Sequence, residues 1–348
     1  MSWEKKNNSK VLIENIVQKF LGEGVSIKKV TQSGHGANSR IFRVETEKDV
    51  FALKFYRRGK DNFNDRLNAE KLALTLFKKH GISSIPSIYG EDLINNCVLI
   101  EWVDGKVISS PTKVDLKQSI DFLKKVDSIK NDIELIDFAK ATEACLSASE
   151  LISQVEARIS KLKQSDSIYL YNLFDSQLLP LFEEVVEWVK SEYMSCDMSI
   201  FKDLEIKDQT LSVVDFGFHN ALKKNNGEIV FIDFEYFGLD DPVKLVSDTL
   251  LHPHPLMNLR HDYKKEFFNK TKDFFMNDCM YSRRIKILYP LYAFRWCTIM
   301  LNPFLPDYIF VDSNSNNENQ KKIIQNQKIK EVSVILNKIK NNYHLFPF

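Results

Sequence analysis

The sequence predicts an α+β protein of two lobes, a small antiparallel sheet with one helix laid in it followed by a larger, mainly helical lobe. Three observations predict it. Residues 25–56 change from helical to alternating spacing, as VSIKKV (25–30), RIFRVET (40–46) and DVFALKFY (49–56) joined by short polar turns. One long helical pattern then runs from Asn62 to His80 and stops at Gly81, and NCVLIEWVDG (96–105) closes the sheet. Beyond it most periodic segments repeat at helical spacing. The expected lobes are 1–102 and 103–348, with Val103, Asp104 and Gly105 as the hinge.

The elements follow in order. SKVLIENIVQKF (9–20) has apolar residues at helical spacing behind a Ser, so an amphipathic helix precedes the strands. Past the hinge, helices are expected over 114–131, 141–165 and 175–194. Two strands, SVVDF (212–216) and EIVFIDFEYF (228–237), are joined through KKNNG, whose Asn-Asn-Gly signals a tight turn. Helices are expected again over 242–251, 262–278, 283–301 and 321–342, with a polar loop, DSNSNNENQ, at 312–320.

Composition excludes several classes. The chain has 348 residues, which at roughly 100–200 residues per domain suits two lobes. Lys plus Arg number 48 and Asp plus Glu 47, so the net charge is +1 and the basic surplus of a nucleic-acid binder is missing. Hydrophobic residues at 44% exclude global disorder. Five scattered cysteines without a C-x-x-C pair point to a reducing, cytoplasmic setting and away from a structural zinc. MSWEKKNNSK has no apolar run, so no secretory leader is expected. The greasiest stretch, 285–305, is broken by Lys286, Pro290, Arg295 and Pro303 and reads as a buried helix, so no membrane partner is expected.

The chemistry lies in LSVVDFGFHNALKKNNGEIVFIDFEYF (211–237). Asp215 and Asn220 have the D-x-x-x-x-N spacing of a phosphoryl-transfer loop, in which the carboxylate meets the attacking hydroxyl and the amide oxygen ligates a metal. Asp233 ends an apolar strand and is placed to hold Mg²⁺, which takes few, hard oxygen ligands from protein. Asp215-Phe216-Gly217 also spells the metal-binding triplet of protein kinases. That reading needs a D-x-x-x-x-N upstream, and neither Asp197 nor Asp203 has an Asn five residues on. Asp215 is therefore the expected base and Asp233, with Asn220, the expected metal ligand. Lys54, mid-strand in FALKFY, suits a lysine that reaches nucleotide phosphates, with Glu70 on the next helix as its ion-pair partner. Gly34 and Gly36 make a turn whose N–H groups suit phosphate oxygens. Backbone groups of VLIEWV (98–103), at Glu101 and Val103, suit an adenine, with Trp102 as a wall. Asp241 is expected to cap the following helix, Arg295 to pair with an acid, and His219, His252 and His254 to be structural.

With these residues in place the sequence resembles the aminoglycoside phosphotransferase / choline kinase family, which has a protein-kinase-like fold. The resemblance spans about residues 25–305 and rests on SGHGANSRIFRV (33–44), ALKFY (52–56), the Glu70 helix, DFGFHNAL (215–222) and FIDFEYFGLDDPVKLVSD (231–248). It implies ATP- and Mg²⁺-dependent phosphorylation of a hydroxyl on a small molecule. One departure is that the family's usual His two residues before the catalytic Asp is Val213, and its His two residues after is Gly217. The alternatives are a nucleotide-binding protein without turnover, an antibiotic phosphotransferase, and a protein kinase, the last disfavoured because no long activation loop follows Asp233. Phe234 to Phe237 and Asp240, mixing aromatics with acids, are expected to face the acceptor. They favour a neutral or cationic one, with a sugar-like metabolite ahead of an amino-alcohol.

Overall fold

The structure, a computed structural model, describes residues 10–35, 39–58, 65–308 and 318–348. The chain divides into two compact units, Met1–Ser109 with Phe218–Phe237, and Ser110–Gly217 with Gly238–Phe348. The first unit thus takes in a segment that the expected boundary at 102/103 leaves in the helical lobe. The cause is pairing and packing: the segment hydrogen-bonds to the N-terminal part of the chain and buries two phenylalanines against its helix, as described below.

The first unit starts with α1 (Lys10–Leu21), whose Ile13, Ile16 and Val17 lie at helical spacing and are buried. They pack with Phe42, Val44, Phe51, Leu53, Phe55, Cys97 and Leu99 from one face of a sheet. Strands β1 (Ile27–His35), β2 (Ser39–Thr46) and β3 (Val50–Tyr56) form the expected meander. Helix α2 (Asp65–Lys79) follows, then β4 (Ile88–Asp92) and β5 (Cys97–Glu101). All neighbours are antiparallel in the order β1-β2-β3-β5-β4. Strand β4 was not read from the sequence, because Tyr-Gly-Glu-Asp has neither the alternation nor the branched side chains of a strand. The short β6 (Lys106–Val107) completes this stretch.

In the second unit α3 (Lys113–Ser128) begins with a capping box in which Thr112 and Asp115 satisfy each other's backbone N–H. Helix α4 (Ala148–Leu162) starts later than the expected 141, because Ala141 N–H donates to Leu239 O, the chain turns at Thr142–Glu143, where Glu143 has a φ of 53°, and the helix begins only at the Ser147 cap. Helix α5 (Ile168–Leu173) runs through a π-turn at Phe174–Leu178 into α6 (Leu179–Ser195). Strand β7 (Thr210–Ser212) leads to the functional loop. The chain then enters the first unit, with a short turn at Phe218–Asn220, β8 (Ala221–Lys223) and β9 (Ile229–Phe231); Asn-Asn-Gly turns this hairpin, but its first strand is 221–223 and not the expected 212–216, which ends as β7 at Ser212. Gly227 supplies the positive φ, 88°, that this turn needs. The expected strand to residue 237 stops at Phe231, since Asp233 takes a φ of 69° and breaks the extended run.

Back in the second unit, β10 (Gly238–Asp240) pairs antiparallel with β7. Gly238 is required, because a Cβ there would lie 2.5 Å from the backbone N of Ala141. Helix α7 (Pro242–Leu251) has Asp241 as N-cap, its carboxylate accepting from Val243 N–H, and Pro242 at the first position. Helices α8 (His261–Lys272), α9 (Tyr281–Met300) and α10 (Glu318–Asn342) follow. Helix α9 is the buried helix expected at 283–301 and packs against α4, α6, α7 and α10. Its Arg295 pairs with Asp248 at 3.3 Å and Glu143 at 2.6 Å, the pairing with an acid that the sequence predicts. Among the described residues no helix is long and apolar enough to cross a membrane.

Two outcomes test this packing. Gly238→Ala should destabilise the protein by about 1–3 kcal/mol, as overpacking against backbone does, read from urea unfolding. All five thiols are free, with Cys97, Cys145 and Cys297 buried, Cys196 intermediate and Cys279 exposed. A thiol reagent should therefore label Cys279 first, Cys196 more slowly, and the other three only on unfolding. Fast labelling of Cys97 in the native state would contradict the core.

Candidate functional site

Strand β3 alternates, so Lys54 and Tyr56 point to the same face. Lys54 is paired across the sheet with Ile41 and Val98 and is 3% exposed. An ammonium buried to that degree needs counter-charge. Three carboxylates supply it: Glu70 Oε2 of α2 at 2.5 Å, Asp233 Oδ1 at 2.6 Å and Glu235 Oε2 at 3.5 Å. Tyr56 Oη donates to the same Glu70 oxygen at 2.6 Å and its ring lies 4.9 Å from Lys54 Nζ. Burial alone would lower the lysine pKa, yet the charges of Asp233, Glu70 and Glu235 hold it well above its ordinary value. Burial raises the Tyr56 hydroxyl likewise, helped by the charge of Glu70.

The segment after β9 leaves the strand and sends its side chains two ways. Asp233 and Glu235 turn toward Lys54, while Phe234 and Phe237 pack edge-on against Phe77 of α2 at 5.4 and 5.3 Å. Phe77 stands seven residues after Glu70, two helical turns along the same face. Arg66, one turn before Glu70, reaches Glu235 Oε1 at 3.6 Å and covers the Tyr236 ring at 5.3 Å. Burial pushes Glu235 up to about 7, with Asp233's charge adding to burial and Lys54 opposing it. Residues 234–237 are therefore consumed in holding the lysine and the helix. In the second unit Asp240 is fully buried, accepting from Cys145 N–H and Asp241 N–H and paired with Lys244 Nζ at 2.8 Å. The expectation that these five residues face an acceptor is corrected: aromatics and acids that looked available locally are spent on long-range packing and charge pairing.

The remaining expected residues lie as follows. Gly34 sits in β1 opposite Ile41, next to a register irregularity after Gln32, and Gly36 lies outside the described residues. Glu101 ends β5, where its N–H donates to Ser87 O at 2.8 Å and its carboxylate accepts from Ser87 N–H at 3.1 Å. That N–H is thus committed within the protein. Val103 is buried, its carbonyl accepting from Gly105 N–H at 3.0 Å, and the Arg43 guanidinium covers the Trp102 ring at 5.3 Å. Asn220 ends the short turn before β8, its carbonyl accepting from Ile232 N–H at 2.9 Å, which ties it to the residue before Asp233.

In the second unit Asp215 follows β7. Val213 is buried and Phe216 stacks on Phe122 of α3 at 5.8 Å, so hydrophobic anchors on both sides fix the loop. Asp215 has a φ of 64° and Asp233 one of 69°. Non-glycine residues in the left-handed region are uncommon and gather at functional sites. Asp215 Oδ1 lies 2.9 Å from His252 Nε2, at the end of α7. Sequence reasoning did not join these two residues, which stand 37 apart. It also missed Tyr56 and Arg66, and it gave Glu235 to the acceptor instead of to Lys54.

Residues 29–187 match the sequence model of the phosphotransferase enzyme family. The match spans 159 of the 348 residues. Phosphotransferase is the enzyme class that this match and the motifs share. No curated protein sequence matches the chain significantly. Solved structures share its protein-kinase-like α+β fold. A choline kinase from Cryptosporidium parvum Iowa II is 12% identical with a TM-score of 0.60, covering 97% of this chain and 98% of that one. A choline kinase from Streptococcus pneumoniae is 15% identical with a TM-score of 0.58, covering 94% and 99%. A spectinomycin phosphotransferase, in complex with ADP and spectinomycin, is 13% identical with a TM-score of 0.58, covering 95% and 98%.

The lysine cage yields a test. Lys54→Met leaves three acids around one methionine and should destabilise the protein by about 3–5 kcal/mol, the cost of breaking a buried ion pair from one side. Tyr56→Phe should cost about 1.5–3 kcal/mol, one hydrogen bond to a charged group. Equal stability of Lys54→Met and wild type in chemical denaturation would contradict the cage.

Proposed function

We propose that this phosphotransferase moves the γ-phosphoryl group of ATP to a hydroxyl of a small molecule. The observation that carries the reading is the buried Lys54 held by Glu70 and Asp233. A lysine pinned in a strand by acids has an orientation fixed before any ligand arrives, and preorganised charge is what phosphoryl transfer draws on. In this reading Lys54 binds phosphate oxygens, with Glu70 retained as its partner. Gly34 and Gly36 offer backbone N–H groups to the phosphates, and the chain at Glu101 and Val103 borders the adenine.

Asp233 and Asn220 would hold Mg²⁺ together with the nucleotide. The donor set fits, since both offer hard oxygens, and Glu70, Asp233 and Glu235 bring carboxylate oxygens within 4.8 Å of one another. Glu235 Oε2, buried and 3.5 Å from Lys54 Nζ, accepts no hydrogen bond. When bound, the ion would neutralise charge on the phosphates. Asp215 accepts the hydroxyl proton as the acceptor oxygen bonds to the γ-phosphorus and the bond to the β-phosphate oxygen breaks, releasing ADP.

The acceptor reading shifts with the side chains that are available. The second unit has a cavity of about 580 Å³, within the range of small-molecule sites. Tyr289, Trp296 and Phe346 line it with Lys264, Lys286 and Lys338, and no Asp or Glu is among its lining residues. Trp296 also meets the ring of His252, Asp215's neighbour, at 4.6 Å. Aromatic faces suit a sugar ring, and the lysines disfavour a cationic acceptor. This supports a sugar-like metabolite, neutral or anionic, over an amino-alcohol, with a polycationic antibiotic last. The expectation of a neutral or cationic acceptor rested on residues 234–237 and 240, which, apart from the half-buried Tyr236, are buried in other contacts. Val213 favours a second reading, nucleotide binding without turnover, which turnover measurements separate.

A competition assay with a neutral sugar, an anionic sugar, an amino-alcohol and an aminoglycoside at equal concentration should show ATP consumed on a sugar; preference for the aminoglycoside would overturn the order. On that acceptor, Asp215→Asn should lower kcat by about 10²–10⁴-fold with the KM for ATP within a few-fold. Asp233→Ala should abolish Mg·ATP turnover, and unchanged Mg·ATP binding in calorimetry with unchanged rate would remove its role.

A further inference from the structure

We infer that His252 is a positioning residue that holds the carboxylate of Asp215 through a fixed imidazole tautomer. The inference rests on the reading of Asp215 as the base, and it begins from the sequence His-Pro-His-Pro-Leu at 252–256, where α7 ends. His254 N–H donates to His252 Nδ1 at 3.1 Å, and Leu256 N–H donates to His254 Nδ1 at 3.2 Å. Each histidine thus accepts from the backbone two residues on, across a proline whose ring fixes φ and which brings no N–H of its own. The repeat forms a short ladder of side-chain-to-backbone bonds that leads out of α7 into the turn at Pro255–Met257.

The ladder decides the chemistry of His252. A main-chain N–H only donates, so Nδ1 must be the unprotonated, accepting nitrogen. The neutral ring then carries its proton on Nε2, the atom 2.9 Å from Asp215 Oδ1. His252 Nε2–H therefore donates to the carboxylate. A proton on Nδ1 would set two donors against each other, so the backbone of His254 selects one tautomer. Packing fixes the ring plane as well. The His252 side chain is 9% exposed against 34% for Asp215, and Trp296 meets it edge-on at 4.6 Å and 63°.

The carboxylate has two reasons to need such a partner. Its backbone lies in the left-handed region, which sets an uncommon exit direction for the side chain, and the residue two positions before it is the apolar, buried Val213. With Oδ1 held by the imidazole, rotation about the last side-chain bond is stopped and the group meets the acceptor hydroxyl in one orientation, the geometric precondition for proton transfer. His252 touches the base and not the substrate; it acts through Asp215.

The test separates this from a packing role. His252→Leu should lower kcat by roughly 10–100-fold, the usual cost of losing an orienting partner, with the KM for ATP unchanged. His252→Gln, whose amide nitrogen can donate from nearly the same place, should recover most of that loss. Equal impairment of the Leu and Gln variants, or full activity of the Leu variant, would overturn the inference. Long-range ¹H–¹⁵N spectra of the wild-type protein without substrate should show His252 protonated on Nε2 and bare on Nδ1, and the opposite tautomer would overturn it too. The spectra need no phosphoryl transfer, so failure of the phosphotransferase reading leaves them to judge the His252–Asp215 contact alone.

Discussion

The first unit is organised by the need to neutralise one buried ammonium. Lys54 sits in the middle strand of a sheet, where water cannot solvate it, and an uncompensated charge there costs several kcal/mol. Glu70 on α2 answers it from one side, and Asp233 and Glu235, about 180 residues further along the chain, answer it from the other. The demand explains features that otherwise look unrelated. Helix α2 must present an acid at one turn and Phe77 two turns later. The segment 232–237 must abandon strand geometry so that acids and phenylalanines face opposite ways. The left-handed backbone at Asp233 is the local cost of that turn, and the lysine's attraction offsets it.

A similar economy governs the second unit. The Lys244, Asp240, Asp248, Arg295 and Glu143 network ties α7 to α9 and to the chain before α4 by charge pairs in an apolar setting. Arg284 pairs with Asp241, so the residue that caps α7 also anchors α9. Glu143 feels both sides of this arrangement: burial would raise its pKa, but Arg295 and Arg158 bring it down to about 2. Charges placed at helix ends thereby fix helix α7, and with it the position of His252 beneath the Asp215 loop.

What the sequence reveals divides by distance along the chain. The sheet, its one helix and the Lys54–Glu70 ion pair were legible, because strand alternation and helical spacing are local signals. The Asn-Asn-Gly turn and the Asp241 cap were legible for the same reason. The pairs Asp215 with His252 and Lys54 with Glu235 were not, since no local pattern says which distant side chain satisfies a buried group. The same gap produced the error at residues 234–237: an aromatic-acidic run reads as an exposed binding face until the partners that bury it are known. The strand ending at Phe231 instead of 237 was overcalled because hydrophobic content cannot report a left-handed residue at 233.

The discontinuous make-up of the first unit has a consequence for its birth on the ribosome. Its N-terminal part is complete at Ser109, but the acids that complete the lysine cage arrive only with Phe218–Phe237. At synthesis rates of about 5–20 residues per second, the intervening 237 − 109 = 128 residues take roughly 6–26 s to emerge. During that interval Lys54 has only Glu70 to answer it, and β6 lacks the β8 strand it pairs with. The nascent sheet therefore waits, partly formed, for a segment encoded far downstream, and a stalled or truncated chain would display an incomplete fold to the cell's quality control.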